Sequence, residues 1–250
     1  MESISIPRIV GKLDKYFEKN DYDGAEKYLL YWLDESRRLH DVRTEIFVEN
    51  ELIGLYRKIK YESGCMHAIH NVMLLIRDYN LEDNAGSGTT YLNCATAHEA
   101  FGYSHKALYF FEKALNVYKK HLPETDQRWG GLYNNMATTL VALRRFAEAY
   151  NYYDKAIEIM TAQSLWLEVA ITYLNIASAK EKELGLVEAE STIEHLLDQA
   201  AELLDAHSED FPRGYYAFVC EKCSSVYGYY GRFVYKDTLL RRAEDIYAGS

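Results

Sequence analysis

The chain has 250 residues, of which 48% are hydrophobic and 26% are charged, and this composition predicts a folded protein with a buried core. Lys and Arg number 28 against 38 Asp and Glu, a net charge of −10 that argues against general binding to nucleic acid or to an anionic membrane surface. With only 3 prolines and 14 glycines, the chain lacks the frequent turns of an all-β protein.

The N-terminal segment and the cysteines predict where the protein resides. Residues 1–7 have no basic stretch followed by an apolar run, so they do not resemble a secretory signal. The apolar stretch at 71–76 is too short to span a bilayer, and 4 cysteines do not make a disulfide framework. We therefore expect a cytoplasmic protein with reduced thiols, no membrane partner and no bound cofactor.

Two weaker repeating units come first, at 6–40 and 43–80. Each is marked by a turn, NDYDGA at 20–25 in the first unit and ESGCMHA at 62–68 in the second. The polar, glycine-bearing segment 80–88 follows them. We interpret this segment as a loop between repeats, with a domain boundary as the less favoured alternative.

Three clearer units follow, at 88–121, 126–162 and 164–206. The sequences YLNCAT, YNNMAT and YLNIAS, one in each unit, align Tyr with Tyr, Asn with Asn and Ala with Ala. Apolar residues recur within each unit at the spacing of a helix face, which predicts two amphipathic helices joined by a tight turn. Asp126 and Ser164 stand where two of the first helices should begin, so either could cap a helix.

The last unit, 212–248, has its turn at GRFVYK, residues 231–236. It carries a cluster of tyrosines for which two interpretations stay open. The cluster is either an exposed aromatic patch where a partner or a second copy docks, or a cap that covers the final helix. Its members are Tyr215, Tyr216, Tyr227, Tyr229, Tyr230 and Tyr235.

These units resemble the tetratricopeptide repeat (TPR) family, which places small residues where the two helices of a hairpin cross. The small residues at those positions are Ala95, Ala107, Ala114, Ala137, Ala149, Ala156, Ala177 and Ala189. The period of about 42 residues is similar to that of the subclass with kinesin light chains and bacterial TPR sensors. The resemblance implies an all-α fold, a right-handed α-solenoid of about six helix hairpins and about 12 helices, in a single domain over residues 1–250. Tyr56 and Lys236 replace small residues in the outer units, so these units should pack less regularly.

The resemblance also implies a ligand-binding groove lined by the first helix of each unit. Asn93, Asn135 and Asn175 occupy the same register in three successive units. A carboxamide both donates and accepts hydrogen bonds, so this row predicts a ladder that holds the backbone of an extended peptide. Asparagine is a poor residue inside a helix, which favours such a compensating role. The alternative is that these asparagines bind neighbouring helices or water. The other predicted groove residues are Asn134, Thr96, Thr138, Ser178, Leu92, Leu174, Arg57 and Lys182.

The sequence offers little catalytic chemistry. Cys220 and Cys223 form a CxxC pattern at core positions of their helix, and His67 and His70 lack further metal ligands. No glycine-rich phosphate loop and no nucleophile elbow occur. We therefore predict a non-enzymatic adaptor without a metal site that binds a protein or an extended peptide segment and no nucleic acid directly. The alternatives are a peptide-responsive regulator that acts through a partner, and a scaffold that self-associates through its end repeats.

Overall fold

The computed structural model describes residues 4–248, which fold into twelve α-helices and contain no strand. The helices are α1 (Ile6–Glu18), α2 (Tyr22–Arg38), α3 (Val42–Lys58), α4 (Glu62–Asp78), α5 (Ala85–Ala100), α6 (Ser104–His121), α7 (Arg128–Ala142), α8 (Phe146–Ala162), α9 (Trp166–Leu184), α10 (Leu186–Ala206), α11 (Arg213–Tyr229) and α12 (Phe233–Ala248). The predicted all-α fold of helix hairpins is confirmed. Residues 1–3 and 249–250 of the predicted domain lie outside the described part. Within that part, no helix is long and apolar enough to cross a membrane.

The helices divide into two compact units, Met1–Pro123 with α1 to α6 and Glu124–Ser250 with α7 to α12. Each unit contains three hairpins of sequence-adjacent helices. In the first unit, one hydrophobic core joins α1 through α5, and in the second unit one core joins α9 through α12. That residues 1–250 form a single domain stays a prediction.

Small residues at the hairpin crossings are buried, as the repeat spacing predicts. Ala25, Ala68 and Ala107 in the first unit are almost fully buried, and so are Ala149 and Ala189 in the second. A methyl group at these points lets the two helix axes approach closely, whereas a larger side chain would push them apart. The hairpins therefore depend on these alanines for their close packing.

Two departures from this pattern are each matched by a glycine on the facing helix. Tyr56 of α3 stands where later units have alanine, and a Cβ added at Gly64 of α4 would lie 3.1 Å from Tyr56 Cδ2. Lys236 of α12 lies over Gly228 of α11, where an added Cβ would lie 2.9 Å from Lys236 Cδ. The large residue and the glycine together occupy the space of two small residues, so both hairpins still close.

Only the first part of the polar segment 80–88 is a loop, because α5 already begins at Ala85. Asn84 caps this helix, and its Oδ1 accepts a hydrogen bond from Ser87 N at 3.0 Å. The loop therefore ends at the capping residue, and the glycines that suggested a longer loop belong to the first turn of the helix.

Of the two predicted helix caps, one is wrong. Ser164 has a φ of 57° and ends α8 in the left-handed region, and Leu165 stands at the N-cap of α9 instead. Asp126 does serve the next helix, because its Oδ1 accepts a hydrogen bond from Arg128 N at 3.0 Å. A serine between two helices can cap the second helix or take a left-handed conformation after the first. Ser164 takes the left-handed conformation.

Candidate functional site

A cavity of about 580 Å³ opens in the second unit between α9 and α11, the first helices of two neighbouring hairpins. It contains four of the predicted groove residues, Leu174, Asn175, Ser178 and Lys182. This volume is in the range of small-ligand pockets. The other lining residues are Glu181, Ser225, Val226, Tyr229 and Tyr230.

One wall of this cavity is aromatic, and a carboxylate holds it in place. Tyr229 donates a hydrogen bond to Glu181 Oε1 at 2.6 Å, and Tyr230 donates one to Glu181 Oε2 at 2.8 Å. Burial and the Glu181 carboxylate raise the pKa of Tyr230, so its hydroxyl stays protonated and keeps donating. Lys182 is exposed and has no ion-pair partner within residues 4–248, so its ammonium group is available to a ligand.

The asparagines of the predicted ladder form hydrogen bonds to neighbouring helices. Asn175 Nδ2 donates to Asn134 Oδ1 at 3.1 Å, which joins α9 to α7 in the second unit. Asn93 Nδ2 donates to Asn50 Oδ1 at 3.0 Å, which joins α5 to α3 in the first unit. Each bond uses one N–H, so a second N–H remains on both donors. No described residue forms a hydrogen bond with the Asn135 side chain.

We expect the Asn134–Asn175 hydrogen bond to stabilise the second unit by about 1 kcal/mol, the usual net value for such a bond. In a double-mutant cycle with Asn134→Ala and Asn175→Ala, the two losses should not add, because either change removes the same bond. Urea unfolding measures the four free energies. A control cycle with Asn151→Ala, an exposed residue of α8, and Asn175→Ala should be additive. Additivity in the first cycle as well would contradict the structural role.

A larger cavity, of about 730 Å³, lies between the first helices α3 and α5 of the first unit. It includes Asn93 and its partner Asn50. Its apolar lining includes Phe47, one turn before Asn50 on α3, and Tyr79 and Leu81, in the connection between α4 and α5. None of these three residues was predicted to line a groove. A repeat pattern specifies the helices, whereas it does not specify the path of such a connection.

The remaining predicted groove residues are hydrogen-bonded or half-buried within their own units. Arg57 Nη1 donates to Thr96 Oγ1 at 2.7 Å, which ties α3 to α5. Thr138 Oγ1 donates to the Asn134 carbonyl oxygen at 3.1 Å, and Leu92 is half-buried. Because the predicted residues are divided between the two units, a continuous groove along the whole chain stays a prediction.

Of the other groups with reactive or metal-binding side chains, the two cysteines of α11 and His98 are buried, whereas His67 and His70 are exposed. Cys220 and Cys223 lie in the core of the second unit, and burial raises the pKa of the Cys223 thiol to about 12, which disfavours the reactive thiolate. His98 is buried with its Nδ1 at 2.8 Å from the Cys94 carbonyl oxygen, and burial lowers its pKa. Among residues 4–248, no group of three or more His, Cys, Asp or Glu is arranged to hold a metal ion.

Several members of the tyrosine cluster form hydrogen bonds inside the second unit. Tyr216 donates to the Leu204 carbonyl oxygen at 3.1 Å, and Tyr227 donates to the Leu197 carbonyl oxygen at 2.8 Å. These bonds fasten α11 to α10. Arg242 Nη1 of α12 donates to the Tyr216 hydroxyl at 2.9 Å, and this contact with the final helix favours the interpretation of the cluster as a cap. Tyr229 is different, since it is 70% exposed and lines the cavity beside α9.

The comparisons with known proteins concern the fold. Residues 129–162, which include α7 and α8, match the family model described as "Tetratricopeptide repeat". No curated protein matches the sequence. The structure of BtubC (BKLC) from P. vanneervenii is similar, with 20% identity, a TM-score of 0.60 and coverage of 91% of both chains.

Two Rap structures are also similar. A Rap protein complexed with Competence and Sporulation Factor has 11% identity and a TM-score of 0.63, over 94% of this chain and 61% of that chain. The Rap conjugation gene regulator of the plasmid pLS20, in complex with the Phr* peptide, has 13% identity and a TM-score of 0.65, over 98% and 64%. This chain thus matches less than two thirds of either Rap chain. Taken together, the helix hairpins and these matches show that the chain carries a tetratricopeptide repeat at residues 129–162 and has the fold of TPR-like proteins.

Proposed function

We propose that this protein is a non-enzymatic binding module that holds an extended segment of a partner protein against the first helices of its repeats. The observation that carries this proposal is the cavity between α9 and α11. It combines Leu174, Asn175, Ser178 and Lys182 with an aromatic wall. An apolar surface with a few hydrogen-bonding groups is typical of sites that recognise peptides.

The cavity can accommodate the side chain and the backbone of a peptide in different places. Leu174 and Val226 provide aliphatic surface, and the exposed ring of Tyr229 provides aromatic surface for an apolar side chain. Asn175 keeps one N–H that can donate to a peptide carbonyl. Lys182 can bind an acidic group of the ligand.

The similar structures support a peptide as the class of ligand. The pLS20 regulator was solved with the Phr* peptide, and the other Rap protein was solved with Competence and Sporulation Factor. At 11–13% identity, these structures share the fold with this chain, so the sequence of any peptide it binds has to come from experiment.

A peptide display selection against the wild-type chain tests this proposal. We expect selected peptides to lose at least about tenfold in affinity when Ser225→Trp fills the cavity, because the indole takes the place of the ligand. Ser225 is exposed, so this variant should fold. Lys182→Glu should weaken those peptides that carry an acidic residue. Fluorescence anisotropy measures each Kd.

Matched controls are available on the second helices of the same unit. Ser191→Trp on α10 and Lys155→Glu on α8 make the same chemical changes at exposed positions outside the cavity, and both should leave Kd unchanged. The proposal fails if no peptide is selected, or if the cavity variants and the controls bind equally well.

A further inference from the structure

Glu168 of α9 contains a buried carboxylate oxygen without a hydrogen-bond partner. Its Oε1 accepts a hydrogen bond from the Tyr215 hydroxyl at 2.8 Å, whereas its Oε2 is buried and accepts none from residues 4–248. No Lys, Arg or His among these residues forms an ion pair with Glu168. A buried carboxylate oxygen without a donor is costly, so this position favours a donor that a ligand brings.

Glu168 lies on the same side of α9 as the cavity between α9 and α11, nearer the start of the helix. Glu168, Asn175 and Lys182 are seven residues apart, and residues at this spacing share one helix face. Asn175 and Lys182 line the cavity, so the same face of α9 continues from the cavity to Glu168. The Glu168 residue is half-buried and borders this face.

Helix α11 accompanies α9 along this whole length. The bond from Tyr215 to Glu168 joins the two helices near their starts, and the tyrosine bonds to Glu181 join them near their ends, so the helices run side by side in the same direction. Phe218 precedes the cavity residue Ser225 by seven residues and therefore lies on the cavity face of α11. The cavity and Glu168 thus belong to one groove between α9 and α11.

Aromatic rings stand beside the Glu168 carboxylate. The ring of Tyr215 stacks on Phe218, with ring centroids 6.4 Å apart and an interplanar angle of 26°. Phe218 is 50% exposed, so part of its ring is open to a ligand. An aromatic face attracts a cation, and a guanidinium group also stacks on it. A carboxylate next to an exposed aromatic ring therefore suits a basic side chain.

We propose that the segment held between α9 and α11 carries a basic residue, which binds Glu168 beside Phe218. This inference rests on the function proposed above and specifies the charge pattern of its ligand. The basic side chain donates to the free carboxylate oxygen and packs its planar or alkyl part on the Phe218 ring. Because the terminal bond of a glutamate side chain rotates readily, the donor can take either oxygen while Tyr215 keeps the other.

Lys182 adds a second charge to this pattern. Glu168 and Lys182 are separated by about 21 Å along α9 at 1.5 Å per residue, a distance that an extended peptide of about six residues spans. Lys182 has no ion-pair partner within residues 4–248 and favours an acidic residue of the ligand. We therefore expect a basic and an acidic residue about six positions apart in the bound segment.

A water molecule is the competing partner for the free carboxylate oxygen, because water also donates hydrogen bonds to buried polar atoms. Water would satisfy Oε2 of Glu168, but it would leave the carboxylate without a counterion and the exposed Phe218 ring without a contact. A basic side chain provides the counterion and the contact together.

Parallel display selections from a random peptide library test this inference, with the full wild-type chain and with Glu168→Gln. The amide keeps a carbonyl oxygen that can accept from Tyr215, and it removes the negative charge. Peptides selected on the wild-type chain should contain Arg or Lys about six positions from Asp or Glu. Peptides selected on Glu168→Gln should lose the basic residue and keep the acidic one. Glu190→Gln, at an exposed position of α10, is the matched control and should select the wild-type pattern.

Synthetic versions of one peptide selected on the wild-type chain measure the interaction directly by fluorescence anisotropy. Its basic residue is replaced by a neutral analogue, citrulline for arginine or norleucine for lysine. This replacement should raise the Kd about tenfold on the wild-type chain and leave it nearly unchanged on Glu168→Gln. The comparison on the wild-type chain needs no protein variant, so it holds even if Glu168→Gln folds less stably.

Three results overturn the inference. The first is that peptides selected on the wild-type chain lack a basic residue, the second is that the neutral analogue binds as tightly as its parent, and the third is that Glu168→Gln selects the same basic residues. Loss of binding in Ser225→Trp together with any of these results leaves the proposed function standing and removes only the charge pattern. If no peptide is selected at all, the proposed function and this inference both fail.

Discussion

Raising the pH from 5 to 8 is expected to lower the free energy of unfolding of the wild-type chain by about 2–3 kcal/mol relative to Glu49→Gln. The cause is the buried carboxyl group of Glu49. Burial raises its pKa from 4.5 to about 7, although the hydrogen bond from Asn71 and the charge of Arg37 favour the ionised form. Glu45, on the same helix, adds to the increase through its negative charge.

The sign follows from where the proton is held. Between about pH 4.5 and pH 7, the unfolded chain releases the Glu49 proton while the folded chain keeps it. Folding therefore takes up a proton in this range, and stability falls as the pH rises. The contribution is fully present below pH 4.5, where both states are protonated, and it is lost once the pH has risen through about 7.

Urea unfolding of both chains at several pH values, followed by circular dichroism, measures the difference. Burial also raises the pKa of Glu51, but that residue is present in both chains, so its effect cancels. A difference between Glu49→Gln and the wild-type chain that stays constant with pH would show that Glu49 does not change its protonation on folding, and would contradict the prediction.

Gly88→Ala is expected to destabilise the first unit by up to about 2 kcal/mol. An added Cβ would lie 2.5 Å from Tyr118 Cε1 and 3.1 Å from Val117 Cγ1. Tyr118 is fully buried, so its ring cannot move aside without displacing its neighbours. Overpacking of this kind costs about 1–3 kcal/mol, and the better helix propensity of alanine returns about 1 kcal/mol of that.

Gly54→Ala is the matched control, and it should have the opposite sign. Gly54 lies inside α3 of the same unit, and an added Cβ there would meet nothing within 4 Å. The substitution should therefore stabilise the chain by about 1 kcal/mol through helix propensity. Thermal or urea unfolding separates the two variants, and a stabilising Gly88→Ala would show that α5 and α6 have room to adjust.

The hairpins could be predicted from the sequence because their packing depends on residues close together in the chain. Ala107 and Ala149 mark helix crossings through spacing alone, and both are buried where the spacing places them. Leu174, Ser178 and Lys182 share one face of α9 because they are four residues apart, so the helix period brings them to one cavity. The helix period therefore predicts that these residues belong to one site.

The hydrogen bonds between side chains of different repeats could not be predicted from this spacing. Asn93 pairs with Asn50, a residue at a different register of the preceding unit, so aligning equivalent positions does not reveal the pair. Tyr229 and Tyr230 form hydrogen bonds with Glu181, which lies 48 and 49 residues earlier in the chain. Local spacing contains no information about which side chains meet across such distances.

The glycines at positions 64 and 228 limit how far the hairpins of this chain can be interchanged. Each complements a large residue, Tyr56 or Lys236, on the facing helix of its own hairpin. Grafting only one helix of such a hairpin into another repeat would bring either a void or a clash. For engineering by repeat exchange, the unit to be transplanted is therefore the complete hairpin.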